Sequence, residues 1–212
     1  MKKAILTLIL GLIISLTSIA QVNKHNVGVF MGGGLSNSAN SIYSYGLGYN
    51  FGVTYNYRIN NKFAIITGLD YDSRNSYYKN TITDTLGVST NIDLKHKLDF
   101  ISVPLILNTS FGNKVKYFIN TGLSFTNLIN YKQTSDIGGK TIVSNDKSYF
   151  NKFGIDLNIG IGVQFPLSDK VDLSVEARFK KGLIDIAKTP VEGSEKVTTS
   201  NALLLMGLHC RL

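Results

Sequence analysis

From Leu47 the chain alternates. Odd positions read Leu47, Tyr49, Phe51, Val53, Tyr55, Tyr57 and Ile59, and the even positions between them read Gly48, Asn50, Gly52, Thr54, Asn56 and Arg58. A period of two places the two sets on opposite faces of a strand. The split recurs from Val115, where Tyr117, Ile119, Leu123, Phe125 and Ile129 oppose Lys116, Asn120, Gly122, Ser124 and Asn130. From Phe153, Ile155, Leu157, Ile159, Ile161, Val163 and Phe165 oppose Gly154, Asp156, Asn158, Gly160, Gly162 and Gln164. From Val171, Leu173, Val175, Ala177 and Phe179 oppose Asp172, Ser174, Glu176, Arg178 and Lys180.

The pattern predicts eight strands, at residues 26–36, 45–59, 62–79, 94–110, 114–131, 149–166, 170–183 and 199–212. Their connections alternate in length. Asn60-Asn61, Phe111-Gly112-Asn113 and Leu167-Ser168-Asp169 read as tight turns, whereas 37–44, 80–93, 132–148 and 184–198 are longer and polar. Short turns on one rim and long loops on the other are the layout of an eight-stranded antiparallel up-and-down transmembrane β-barrel. A soluble, lipocalin-like barrel alternates too. The side that must face inward decides between them. It carries Gly, Asn, Asp, Glu and Arg, a poor dry core, while the other side is apolar with Tyr and Phe near strand ends, as lipid and its interfaces require.

The first residues fit an exported chain. Met1, Lys2 and Lys3 precede a run, Ala4 to Leu16, that is apolar apart from Thr7, Gly11 and Ser15. Ser18-Ile19-Ala20 supplies small residues for cleavage after Ala20. The chain therefore divides into a signal peptide at 1–20 and a barrel domain at 21–212. Without the signal peptide, 20 basic residues face 14 acidic ones, scattered along the strands. With no basic patch, nucleic acid is not an expected partner. Cys210 is the only cysteine, so no internal disulfide can form, and stability must come from barrel closure.

Leu98-Asp99-Phe100-Ile101-Ser102-Val103-Pro104-Leu105-Ile106-Leu107 resembles a strand of the PorT-like outer-membrane β-barrel family of Bacteroidota, in which an aromatic residue is followed by a small apolar residue, Pro and further apolar residues. The Ala20-Gln21 junction is similar to exported proteins of that group. The resemblance implies an eight-stranded barrel in a Gram-negative outer membrane. It assigns little chemistry, although the name-giving member serves a gliding and secretion apparatus. Gly207-Leu208-His209-Cys210-Arg211-Leu212 resembles the C-terminal signal read by the barrel-assembly machinery, with Gly207, Cys210 and Leu212 at its marked positions. The usual final aromatic is absent, and Leu205 stands where a polar residue is expected. Pro104 cannot donate to a ladder, so a bulge or ladder gap is expected beside it.

Candidate chemistry is sparse. Of the histidines His25, His96 and His209, only His96 falls near the long-loop rim, with Asp70, Asp72, Asp93 and Asp99 in its broad neighbourhood. No nucleophile motif accompanies it, so catalysis is not expected. No metal-ligand spacing occurs, and no cofactor is expected. Gly138-Gly139 and Gly32-Gly33-Gly34 lack the strand–loop–helix setting of phosphate loops.

The inward charges are more telling. Arg58, Asp70, Asp72, Arg74, Lys116, Asp156, Asp172, Glu176, Arg178, Lys180 and Arg211 all take the polar face. An eight-stranded barrel barely holds its own side chains, so these charges must pair or hydrate. The expectation is a salt-bridge network that plugs the lumen; a narrow path for ions or small solutes is the alternative. Function then moves to the long loops, with outer-membrane lipid, lipopolysaccharide and an unidentified protein as the expected contacts.

Overall fold

The computed structural model describes residues 24–37, 44–83, 89–188 and 196–212. The expected signal peptide and parts of the first, second and fourth long connections lie outside them. Nine strands are present among the described residues: β1 (His25–Asn37), β2 (Ser44–Arg58), β3 (Phe63–Thr83), β4 (Ser89–Phe111), β5 (Lys116–Ile137), β6 (Lys140–Ser144), β7 (Phe153–Pro166), β8 (Val171–Gly182) and β9 (Ser200–Arg211). Eight of them close a ring in the order β4-β3-β2-β1-β9-β8-β7-β5, with β4 pairing β5. Every pairing is antiparallel. The ninth, β6, pairs only with β5 and stands outside the ring.

Local chemistry sets the tight turns. The Asn60 side-chain carbonyl accepts from the Lys62 and Phe63 amides at 2.8 and 2.9 Å, a side-chain turn that reverses the chain between β2 and β3. Gly112, between β4 and β5, takes φ 100°, a backbone state that suits glycine. Gly138 and Gly139, with φ 57° and 81°, form the two-residue hairpin that joins β5 to β6.

The two faces follow the alternation. Leu47, Phe51, Val53, Leu105, Phe125, Ile161, Leu204 and Met206 all lie exposed on the outer wall. Asn50, Asp70, Asp72, Asn120, Ser124, Asp156, Asn158, Lys180 and Asn201 are buried inside it. Closure removes the sheet edges, so backbone polar groups in the wall are met by neighbouring strands. Gly32 and Gly34 let β1 approach β9 closely, since a Cβ at either would run into the β9 carbonyls of Leu204 or Ala202.

Pro104 behaves as its chemistry requires. The β3–β4 ladder pairs Thr67 with Leu105 and resumes at Asp70 with Ser102, leaving a gap at Val103-Pro104, while the β4–β5 ladder runs through Pro104 and Ser124. A separate bulge lies nearby: Asp99 pairs Asn130 and Phe100 pairs Leu128, so Ile129 is an extra residue. This corrects the assignment of Asn130 to the polar inner face. Beyond the bulge the parity of β5 flips, Asn130 turns outward, and Tyr131 is buried inside.

The long connections are also corrected. Much of 80–93 and 132–148 is strand, because β3, β4 and β5 run to 21, 23 and 22 residues. A tilted strand needs only about 9–11 residues to cross a bilayer. The excess, with β6, forms a four-stranded sheet that projects past the long-loop rim.

This division sets a contrast in how lipid-facing and projecting residues tolerate charge. Leu105→Arg, in the apolar belt, is expected to destabilise the barrel by about 2–4 kcal/mol. Val143→Arg, on exposed β6, should change it by less than about 0.5 kcal/mol. Reversible urea unfolding in lipid vesicles measures both, and equal effects would mean that the belt does not face lipid.

Candidate functional site

Among the described residues, the lumen gathers charged side chains from opposite walls. Asp72, on β3, is its centre. Its Oδ2 lies 2.7 Å from Arg74 Nη2 and 2.9 Å from Lys180 Nζ on β8, and its Oδ1 accepts from the Asn201 amide on β9 at 2.7 Å. Arg74 continues across the barrel to Asp156 on β7 and to the Thr199 hydroxyl. Asp72, Arg74 and Lys180 are almost wholly buried. Carboxylates and cations from strands far apart in the chain thus meet in one dry layer, where each hydrogen bond to a charge is strong.

Asp70 is the least engaged carboxylate of this layer. Lys180 Nζ lies 3.8 Å away, yet neither Asp70 carboxylate oxygen has a hydrogen-bond partner. The layer holds three acids, Asp70, Asp72 and Asp156, against Arg74 and Lys180.

Apolar side chains pack over the layer on the long-loop side. Leu98, Phe100, Leu128, Tyr131 and Ile186 form a buried cluster, with Phe150 and Val197 packed against it. The Arg74 guanidinium lies 4.7 Å from the Phe100 ring centre, so cation and cluster join directly. Ile186 comes from the chain that follows β8 and is pinned there by backbone bonds. Its amide donates to Val197 O at 2.9 Å, and the Asn151 amide donates to its carbonyl at 2.8 Å. The Asn151 side chain also donates to the Asp185 and Ala187 carbonyls at 3.0 and 3.2 Å.

Toward the tight turns, Arg178 pairs with Glu176 through Nη2 at 2.7 Å and Nε at 2.8 Å. The Arg178 guanidinium stands 5.5 Å from the Phe30 ring, beside buried Leu203 and Leu205. Closer to the rim, Arg211 holds Asp172, which also accepts from Gln164 at 2.8 Å. Between these pairs lies a narrow cavity of about 70 Å³.

Of the charges assigned to a lumen network, Asp70, Asp72, Arg74 and Asp156 come together, Glu176 and Arg178 form a second pair, and Asp172 joins Arg211. Arg58 joins none of these pairs; it lines the cavity near its mouth. The polar-inside rule missed the inward apolar residues Leu98, Phe100, Leu128 and Ile186, which form the seal. Asn201 and Thr199 were also missed, though counting back along β9 in steps of two from inward Arg211 reaches both.

His96 does not gather a catalytic set. Its Nδ1 bonds the Tyr131 hydroxyl at 3.1 Å, and that hydroxyl donates to Gln133 at 2.8 Å. Of the acids proposed as its neighbours, Asp70 and Asp72 belong to the Lys180 layer and Asp93 faces Lys79 at 3.8 Å. Asp99 takes the other face of β4, where it accepts from Ser73 at 2.7 Å and from Asn130 at 3.0 Å. Gly207 faces inward beside Ser174, and Cys210 is exposed on the outer wall.

Residues 19–188 match the family described as outer membrane protein beta-barrel domain. No curated protein matches the chain. Among solved structures, Neisserial surface protein A is similar at 18% identity and a TM-score of 0.49, covering 89% of this chain and 97% of that one. The attachment invasion locus protein of Yersinia pestis is similar at 14% identity and a TM-score of 0.43, covering 89% and 99%. The N-terminal β-barrel domain of Pseudomonas aeruginosa OprF is similar at 12% identity and a TM-score of 0.43, covering 91% and 100%.

The two neighbouring carboxylates should respond differently to substitution. Asp72→Ala takes from Lys180 its nearest carboxylate and from Arg74 one of two, and is expected to cost about 3–5 kcal/mol. Asp70→Asn, which breaks no hydrogen bond at the carboxylate, should cost less than about 1.5 kcal/mol. Urea unfolding of both variants in vesicles gives the comparison; similar losses would mean that Asp72 is no more central than Asp70.

Proposed function

The chain belongs to the outer membrane protein beta-barrel domain family, and from that premise we propose that it is a closed-lumen scaffold whose projecting sheet meets a partner outside the cell. The observation that carries this reading is the stacking of two closures inside one barrel. The Asp72–Arg74–Asp156–Lys180 layer crosses the lumen, and the Leu98–Phe100–Ile186 cluster lies on top of it. A hydrated ion would have to displace buried, mutually paired charges and then a dry apolar seal, both costly steps. The plugged state is therefore favoured over the conducting alternative.

In this reading the tight-turn rim and both termini face the periplasm, and β3–β6 project outward. Their tips carry Ile82, Ile137, Ile142 and Val143 exposed beside Lys79, Lys95, Lys132 and Lys140. Such a mixed surface suits a protein or the phosphates of lipopolysaccharide. On the neighbouring segment, Ser148 bonds the Asp146 carboxyl and holds it below its ordinary range, so that charge persists in mildly acidic surroundings. The β4 motif around Pro104 supports membership of the PorT-like group and, as an alternative role, service to a secretion apparatus as an accessory subunit.

Purified protein refolded into planar bilayers is expected to pass no steady current while still migrating as a heat-modifiable band on gels. A stable nanosiemens conductance from folded protein would overturn the closed lumen. Orientation has its own check. In a Cys210→Ser background, Ser144→Cys should react with an impermeant maleimide on intact cells and Lys114→Cys should not.

A further inference from the structure

The lower half of the lumen is built differently from the upper half. Its cavity lies toward the tight-turn rim, where a second cavity shares Arg58, Lys116 and Gln164 with it as lining. Its inner end is closed by Phe30, Leu205 and the Arg178–Glu176 pair. It is a blind vestibule, one residue layer below the charged plug.

Two features of its lining lack partners. The first is positive charge. Arg58 and Lys116 line the vestibule and Lys114 stands at its mouth, and none of the three makes an ion pair among the described residues. The two acids that line these cavities are already engaged: Asp172 by Arg211 and Gln164, Glu176 by Arg178. The second is a set of buried polar atoms. Asn26 Oδ1, Asn56 Oδ1, Thr54 Oγ1 and His209 Nδ1 all line the vestibule and bond nothing. Asn26 is only 6% exposed, so its acceptor is removed from bulk water. His209 is held in place by its other nitrogen, 2.9 Å from the Ser174 hydroxyl.

Buried acceptors without donors are costly, and so are clustered cations without anions. Two amide oxygens ask for donor groups; Arg58 and Lys116 ask for an anionic one. We propose that the vestibule binds a small hydroxylated anion of the phosphomonoester type, with its charged head between Arg58 and Lys116 and its hydroxyls donating to Asn26 and Asn56. The same chemistry occurs in a free sugar phosphate and in the headgroup of a glycerol-bearing anionic lipid. The inference goes beyond the scaffold reading and rests on it only for the compartment, the periplasm, from which the ligand would enter.

The test is calorimetric titration of the full refolded barrel in phosphatidylcholine nanodiscs with glucose 6-phosphate, inorganic phosphate and glucose. Glucose 6-phosphate is expected to bind saturably, phosphate more weakly, and glucose not at all. Arg58→Gln and Lys116→Gln should each weaken glucose 6-phosphate binding by about tenfold or more, the loss of one charged hydrogen bond. Neither substitution strands a carboxylate, and heat-modifiable migration verifies folding. Arg58→Lys and Lys116→Arg keep the charge and should retain binding. Repeating the titration in discs containing phosphatidylglycerol separates the sources: suppressed binding identifies the lipid headgroup as a competitor for the same site, and unchanged binding identifies a soluble ligand.

The proposal is overturned if no probe binds folded protein, if glucose binds as well as its phosphate, or if the Gln variants bind like the unaltered chain. Both rims are open in a nanodisc, so a failure here leaves the orientation result standing, and a reversed orientation leaves the binding result standing.

Discussion

The Asp72 carboxylate touches cations and an amide contributed by β3, β8 and β9, and through Arg74 it reaches Asp156 on β7. A carboxylate in that position is wholly buried among lumen side chains and so is cut off from bulk water. Its charge must be met by protein, and the protein that meets it comes from the far side of the ring. The pairing therefore ties opposite walls together, filling the lumen with fixed dipoles and charges. A pair of this kind adds modest net stability, yet losing one member is costly. That asymmetry makes the layer a lock on barrel closure and register more than a source of folding energy.

The lipid outside imposes the complementary constraint. Apolar side chains have nowhere drier to go than the outer wall, and backbone groups can be satisfied only by neighbouring strands. The wall adapts where a residue cannot comply. Pro104 leaves a gap in the ladder toward β3 while keeping its place opposite Ser124. Ile129 bulges, and the resulting parity change turns Tyr131 inward to join the seal above Arg74. The bulge is thus coupled to the interior: without it, the inward position opposite Leu98 would pass to a different residue.

The lumen has two halves with different physical characters. Toward the long-loop rim, buried acids and cations from opposite walls pair across the lumen under a cover of apolar side chains, with Asp70 left without a hydrogen bond. Toward the tight turns, cations outnumber free acids and several amide and imidazole atoms are unmatched. An eight-stranded barrel has little room inside, and Gly28, Gly162 and Gly207 along β1, β7 and β9 give up their inward space to His209, Phe118 and Ser174.

Alternation in Leu47–Ile59 and its repeats determined the strands, the faces and the polar interior, because a period of two is a local property that one chain displays by itself. The same reading placed Asp70, Asp72, Arg74, Asp156, Glu176 and Arg178 inside. It could not say that Asp72 meets Lys180 and Asn201, since those meetings depend on the stagger between strands more than a hundred residues apart in the chain. Nor could it show that 80–93 and 132–148 are largely strand: polar residues paired outside the bilayer have no buried face to impose alternation. Asn130 was misplaced because one bulged residue reverses parity without any mark in composition. Sequence alone determined which solvent each face prefers. Tertiary structure decided which charges meet across the lumen, because ring closure and stagger are properties of the whole barrel.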